Sequence, residues 1–176
     1  MIQAKVASAA DLARLAELMV EFYAEASFTL APDRAERAFG SLLDQPERGR
    51  VWLLEADGVP AGFVVLTLAY SMEYGALRGF VDDFFVRAEH RRHGLGALAL
   101  STVRDACVQL GALALLVEVG PQNRDGLSVY GRAGFTDTGH LLMKAELGAG
   151  LHGAAEQLDA ADEARASSAG WRGSRS

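Results

Sequence analysis

The chain is 176 residues long and has a single cysteine, Cys107, so no internal disulfide can form. It has no apolar run approaching the ~20 residues of a membrane-spanning helix, which leaves no membrane partner to expect. Met1-Ile2-Gln3-Ala4-Lys5-Val6 lacks the basic start and long apolar stretch of a signal peptide, so a cytoplasmic location is the expectation. Positive charge is in short supply: 17 Lys and Arg face 23 Asp and Glu, for a net charge of −6 and a pI near 5.2. A general nucleic-acid binder needs a positive surface, and this balance leans against that class while suiting a cationic substrate. What the chain does have is apolar material. Half of it is hydrophobic, enough for one sizeable core in one domain of ordinary size.

Hydrophobic spacing predicts strands and helices in alternation, with no internal repeat. A short strand is expected over 2–6. Ser8 stands three residues before Asp11, a capping-box-like start, and Leu12, Leu15, Ala16, Met19, Phe22 and Tyr23 then recur at helical spacing, predicting a helix over 9–26. Pro32 opens a second helix that ends near Leu42 and Leu43. Strands over 51–56 and 61–70 flank the hairpin signal Asp57-Gly58, and a further strand covers 78–86. A helix over 94–110 carries the stripe Leu95, Leu98, Ala99, Thr102, Val103 and Ala106 and ends at Gly111. The apolar run 112–119 reads as a buried central strand. A short helix over 123–133 closes at Gly134, and the last strands are expected over 135–147, broken near Thr138-Gly139. After Leu147 the composition shifts to Ala, Gly and Ser. Residues 148–176 are therefore expected as an extension to a 1–147 domain, with a short helix over 154–166 and a disordered tail over 170–176 in which Trp171 is the one docking group. The order is that of a single α/β or α+β domain.

The basic loop before the 94–110 helix carries the strongest chemical signal. Gly94 and Gly96 lack Cβ atoms, so their backbone can approach a ligand closely. The first N–H groups of the following helix have no partner within it, and the helix dipole adds positive potential there. A pyrophosphate fits such a place, with Arg91, Arg92 and His93 adding charge beside it. The loop has no Gly-Lys-Ser/Thr ending, so it is not a P-loop, and it lacks the third glycine of the dinucleotide fingerprint. On its own it also reads as a glycine-assisted turn with a solvated basic edge. A His90-Arg91-Arg92-His93 metal site is disfavoured, because arginine repels a cation and no carboxylate or cysteine completes the set.

Arg91-x-x-Gly94-x-Gly96 after an apolar strand resembles motif A of the GNAT acetyltransferase superfamily. The downstream elements agree: the strand Val117-Glu118-Val119, then Asn123, then Tyr130-Gly131-Arg132-Ala133-Gly134-Phe135. The resemblance covers roughly 2–147. It implies a GNAT fold, one mixed central sheet of six to seven strands flanked by about four helices. It also implies acetyl-CoA as co-substrate, no metal, direct attack by a primary amine in a ternary complex, and a homodimer.

Residue by residue, the resemblance implies that Arg91, Arg92, His93, Gly94, Leu95, Gly96 and Ala97 hold the pyrophosphate. Phe84, Phe85 and Val86, on a bulged strand, turn main-chain groups towards pantetheine and thioester, one N–H serving as oxyanion donor. Asn123 contacts the pantetheine arm or caps the next helix. Tyr130 matches the general acid to the CoA sulfur, and equally suits a core aromatic under the Gly134-Phe135 turn. Two adjacent acids inside an apolar strand are unusual, and a buried carboxylate needs a partner such as a substrate ammonium. Asp82 is the first choice for proton acceptor, directly or through water, and Asp83 the second or a substrate contact; solvated or salt-bridged acids are the plainer reading. Asp82-Asp83-Phe84-Phe85-Val86 is similar to the Glu-Asp-Phe-Phe-Val of the spermidine/spermine (diamine) N-acetyltransferase branch, which points to a polyamine or lysine-like amine. Glu25, Tyr70, Glu73 and Tyr74 are candidates for a cation site, and Cys107 for a buried packing residue. Two other classes stay open: a CoA-binding regulatory module without turnover, and a nucleic-acid-binding module built on 90–93.

Overall fold

A computed structural model of the chain describes residues 1–145. Its elements are β1 (Ile2–Val6), α1 (Leu12–Glu25), α2 (Pro32–Leu43), β2 (Gly49–Ala56), β3 (Val59–Ser71), β4 (Ala76–Val86), α3 (Leu95–Gln109), β5 (Ala114–Val117) and α4 (Arg124–Arg132). The five strands form one mixed sheet in the order β1-β2-β3-β4-β5. The first four pair antiparallel with their neighbours, and β5 runs parallel to β4. Parallel pairing requires a crossover, which α3 supplies. The β2–β3 hairpin turns through Asp57 (φ 51°) and Gly58 (φ 78°), the paired positive φ that a tight two-residue hairpin demands.

Helices cover both faces of the sheet, so its central strands are apolar on both sides. On one face Leu54, Val64, Leu66 and Val81 pack against Leu95, Ala99, Val103 and Ala106 of α3. On the other, Leu53, Phe63, Val65 and Phe85 pack against Leu15 and Leu18 of α1 and Phe39 of α2. Cys107 is buried on α3, as expected of a packing residue. A Cβ on Gly79 would lie 2.6 Å from its Sγ, so the bare glycine of β4 is what lets α3 settle on the sheet at this depth. Asp11 ties β1 to the start of α1. Its buried carboxylate accepts from Lys5 Nζ at 3.0 Å, from the Ser8 N–H at 3.0 Å and from Ser8 Oγ at 2.9 Å. Burial alone would raise its pKa, but these donors outweigh it and hold the carboxyl below its ordinary range.

Among the described residues the sheet has five strands where six to seven were expected, and four helices flank it as expected. No strand forms over 135–145. Local bonds turn the chain there: Gly139 N–H donates to Asp137 Oδ1 at 2.8 Å and His140 N–H to Thr138 Oγ1 at 3.2 Å. Leu141 and Met143 are 90% and 86% exposed, so no burial draws the segment onto the sheet. β5 is also shorter than the predicted 112–119, because the Ala112 N–H is still donating to Cys107 O at the end of α3. The end of the last strand at 146–147, the 154–166 helix and the 170–176 tail lie outside the described residues. No helix among the described residues is long and apolar enough to cross a membrane.

Candidate active site

The site begins with an irregularity in β4. Phe84 pairs with Val64 of β3 and Val81 with Leu66, so the single residue Val65 faces both Asp82 and Asp83. This is a β-bulge, the extra residue that re-aims side chains and bends a strand. It sends Phe84 to the α3 face and Phe85 into the core against α1. On the other edge of β4, pairing with β5 ends at Val81–Val117, one residue before the bulge. The two parallel strands then part, leaving the β5-facing main-chain groups over 82–86 outside any ladder.

Asp83 is partly buried and Asp82 more exposed. Burial, and then the charge of Asp82, push the Asp83 carboxyl from 3.8 to about 6. Burial raises Asp82 as well. Both charges reach Tyr23 on α1, whose phenol is pushed up by its own burial first, then by Asp83 and Asp82, with Arg34 pulling the other way. Tyr23 is seated against Ala16, Leu30 and Ala35 and meets Phe22 edge-on at 5.5 Å. The sequence marks Tyr23 only as part of a helical stripe, and nothing in its local pattern signals that it will face the acids of β4.

After β4 the chain passes through a short 3₁₀ turn, Ala88–His90, then Arg92 with φ 63° and Gly94 with φ 90° at the N-cap of α3. The first bond of the helix runs from Leu98 N–H to Gly94 O at 3.0 Å, so the N–H groups of Leu95, Gly96 and Ala97 have no partner within α3. The side chain of Leu95 is buried in the core, leaving its main chain as the part a ligand can meet. A Cβ on Gly96 would stand 3.5 Å from Val129 Cγ1 and 3.7 Å from Phe84 Cζ, ordinary contact distances. Packing within the protein therefore does not require a glycine there, whereas close approach by a pyrophosphate along the bare backbone does. These amides form a cradle at the start of α3, joined to the end of β4 by residues 87–94. Arg92 and His93 are exposed beside it. Arg91 is engaged: its Nε donates to Val86 O at 2.7 Å and its Nη2 to both oxygens of Glu25 at 2.8 and 2.6 Å.

α4 closes the site. Asn123 is its N-cap, with Oδ1 accepting from Gly126 N–H at 2.8 Å. Tyr130 is half-buried between Phe84 (ring centroids 6.4 Å apart) and Phe135 (5.7 Å, edge-on). It thus packs as a core aromatic and also borders the parted strands. Burial raises its phenol pKa, so the hydroxyl keeps its proton at neutral pH.

The structure does not unite the four cation-site candidates. Tyr70, Glu73 and Tyr74 lie at or next to the β3–β4 turn, before Ala76, while Glu25 is bound to Arg91 at the Val86 end of β4. Eleven residues of strand separate the two ends, about 33 Å. Glu25 instead borders a cavity of about 410 Å³ between α1 and the chain after β4, with Glu21, Phe85 and Arg87 among its other walls. Among the described residues no group of three or more His, Cys, Asp or Glu is placed to hold a metal.

Residues 12–135 match the acetyltransferase (GNAT) family model. An integron cassette protein from the mobile metagenome of Cole Harbour Salt Marsh is 49% identical, over 85% of this chain and 93% of that one, with a TM-score of 0.78. An aminoglycoside N-acetyltransferase in complex with CoA superposes with a TM-score of 0.72 at 17% identity, over 83% of this chain and 95% of that one. A ribosomal-protein-alanine N-acetyltransferase from Brucella melitensis biovar Abortus gives 0.69 at 20% identity, over 84% and 100%. For the last two the likeness is one of fold. No curated protein matches the chain.

Proposed function

Because the chain belongs to the GNAT acetyltransferase family, we propose that it is an acetyl-CoA-dependent N-acetyltransferase acting on a small primary amine. The observation that carries this is the bulge of β4, which sets two carboxylates of raised pKa at the point where β4 and β5 part. Bound acetyl-CoA supplies the activated acyl group as a thioester. The N–H groups of Leu95, Gly96 and Ala97, with Arg91, Arg92 and His93, hold its pyrophosphate. The free edge of β4 offers the main-chain N–H groups of Phe84 and Val86 to the pantetheine arm and the developing oxyanion, while the main chain of Phe85 pairs with Phe63 of β3. Asn123 acts through α4, fixing the helix that carries Tyr130.

The acceptor arrives as an ammonium of pKa roughly 10 and must lose a proton before it attacks. An ordinary carboxylate is a weak base for this, and raising Asp83 to about 6 narrows the gap. Asp83 is therefore assigned ahead of Asp82 as proton acceptor, reversing the order taken from the sequence, with Asp82 holding the cation. Tyr130 keeps its proton and holds it for the leaving sulfur. The acidic pair and the aromatic Tyr23 favour a cationic acceptor, for which polyamines and lysine-like amines are the leading class. A homodimer belongs to the same reading. The test is an acetylation assay over a panel of primary amines with acetyl-CoA, following released thiol. Turnover with at least one cationic amine is expected; absence of CoA binding by calorimetry would sink the proposal.

A further inference from the structure

Two arginines after β4 grip two glutamates of α1, and the spacing matches on both sides: Arg87 and Arg91 are four apart, as are Glu21 and Glu25. The pairs are not equivalent. Arg87 donates from Nε and Nη2 to Glu21 at 2.7 and 2.6 Å and from Nη1 to Pro60 O at 2.7 Å, so all three of its nitrogens are engaged; its side chain is 22% exposed. Arg91 is 40% exposed; Nε rests on Val86 O, Nη2 bridges both Glu25 oxygens, and Nη1 has no recorded partner. The inner pair fastens α1 to the sheet. The outer pair stands at the start of the loop that leads into the amide cradle of Leu95, Gly96 and Ala97.

We propose that Glu25 is a resident competitor for the donor's pyrophosphate, holding Arg91 in the donor-free chain and yielding it when the donor binds. This rests on the donor site proposed above. A carboxylate and a phosphate present the same pair of oxygens to a guanidinium, and the Nη2 that Glu25 occupies is one of the two terminal nitrogens a two-point grip on a phosphate requires. The Nε bond to Val86 O and the Phe85 ring, 5.9 Å from the guanidinium carbon, form a pivot, so exchange needs rotation of the outer end of the side chain and no loop opening. A half-exposed ion pair is weak enough for a doubly charged group to displace. Glu25 thereby sets the donor affinity of a site whose amides it never touches.

The test is calorimetric titration of CoA into the wild type, Glu25→Gln, Arg91→Gln and the double variant, with the melting temperature of each. Glu25→Gln should bind CoA about two- to fivefold more tightly, the worth of a half-exposed pair. Arg91→Gln should bind more weakly, and Glu25→Gln should add nothing in its background. Unchanged or weaker CoA binding by a normally melting Glu25→Gln overturns the proposal, as does an equal gain in the Arg91→Gln background. A wild type that binds no CoA overturns the donor site itself, and the competitor with it.

Discussion

Replacing Asp83 by Asn should stabilise the fold while stopping the reaction, and pH separates the two effects. Burial first, and the charge of Asp82 second, move the Asp83 carboxyl from 3.8 to about 6. The folded chain thus holds this proton more tightly than the unfolded chain does. Well below pH 3.8 both forms are protonated and the site costs nothing. Between 3.8 and 6 the unfolded chain ionises first, and the contribution of Asp83 to stability falls as pH rises. Above 6 the cost levels off at about 3 kcal/mol, taking about 1.4 kcal/mol per pH unit, and solvent reaching the carboxylate makes that an upper bound. Asn keeps the shape and removes the charge. The stability difference between variant and wild type should therefore widen from about 1 kcal/mol at pH 4.5 to about 3 kcal/mol at pH 8, or about 6–12 °C in melting temperature. Asp11 and Glu21, whose carboxyls are held below their ordinary range, act with the opposite sign but cancel in the difference. Urea denaturation of both proteins across this range is the assay. A difference that stays flat with pH, or a variant less stable at pH 8, refutes the electrostatic reasoning. In the same variant kcat should fall by about 10² or more, and the wild-type rate should decline as pH drops through about 6.

Tyr130→Phe removes the proton held for the leaving sulfur but keeps the ring packed between Phe84 and Phe135, so kcat should drop about 10²-fold with CoA affinity unchanged by calorimetry. Asn123→Ala loses the cap on Gly126 N–H and should cost about 1 kcal/mol in urea denaturation, with a lower kcat as the Tyr130 helix loosens. Gly96→Ala should melt within a few degrees of the wild type, since a Cβ there meets only ordinary contacts, yet should bind CoA at least about tenfold more weakly.

Local chemistry made much of this architecture readable before the coordinates. Asp57-Gly58 signals a tight turn because few other pairs accept positive φ twice, and Gly111 and Gly134 end helices for the related reason that each takes a left-handed conformation. The bulge of β4 was implied by the family resemblance, while the adjacent acids themselves signalled only side chains in need of a partner or of solvent. Features that depend on distant partners stayed hidden. Glu21 with Arg87 and Glu25 with Arg91 join helix to loop across 66 residues of sequence, and no short-range pattern encodes such a pairing. Tyr23 looked like any apolar-stripe residue, because its nearness to Asp82 and Asp83 comes from the packing of α1 on the sheet. The supposed cation site failed for the converse reason: its residues shared a plausible composition but sit at opposite ends of β4. The segment 135–145 was expected as strand, but its exposed Leu141, Leu142 and Met143 show that apolar residues without a covering surface do not make one.

The parting of β4 and β5 divides the site into halves written in different materials. On the proposed donor side a ligand would meet amide groups and a missing side chain, which most substitutions leave in place. On the proposed acceptor side it would meet Tyr23, Asp82 and Asp83, each replaceable by a single codon change. Under the proposed assignment such a chain would exchange one acceptor for another over generations while its donor stayed the same, because the two specificities would not share an alphabet.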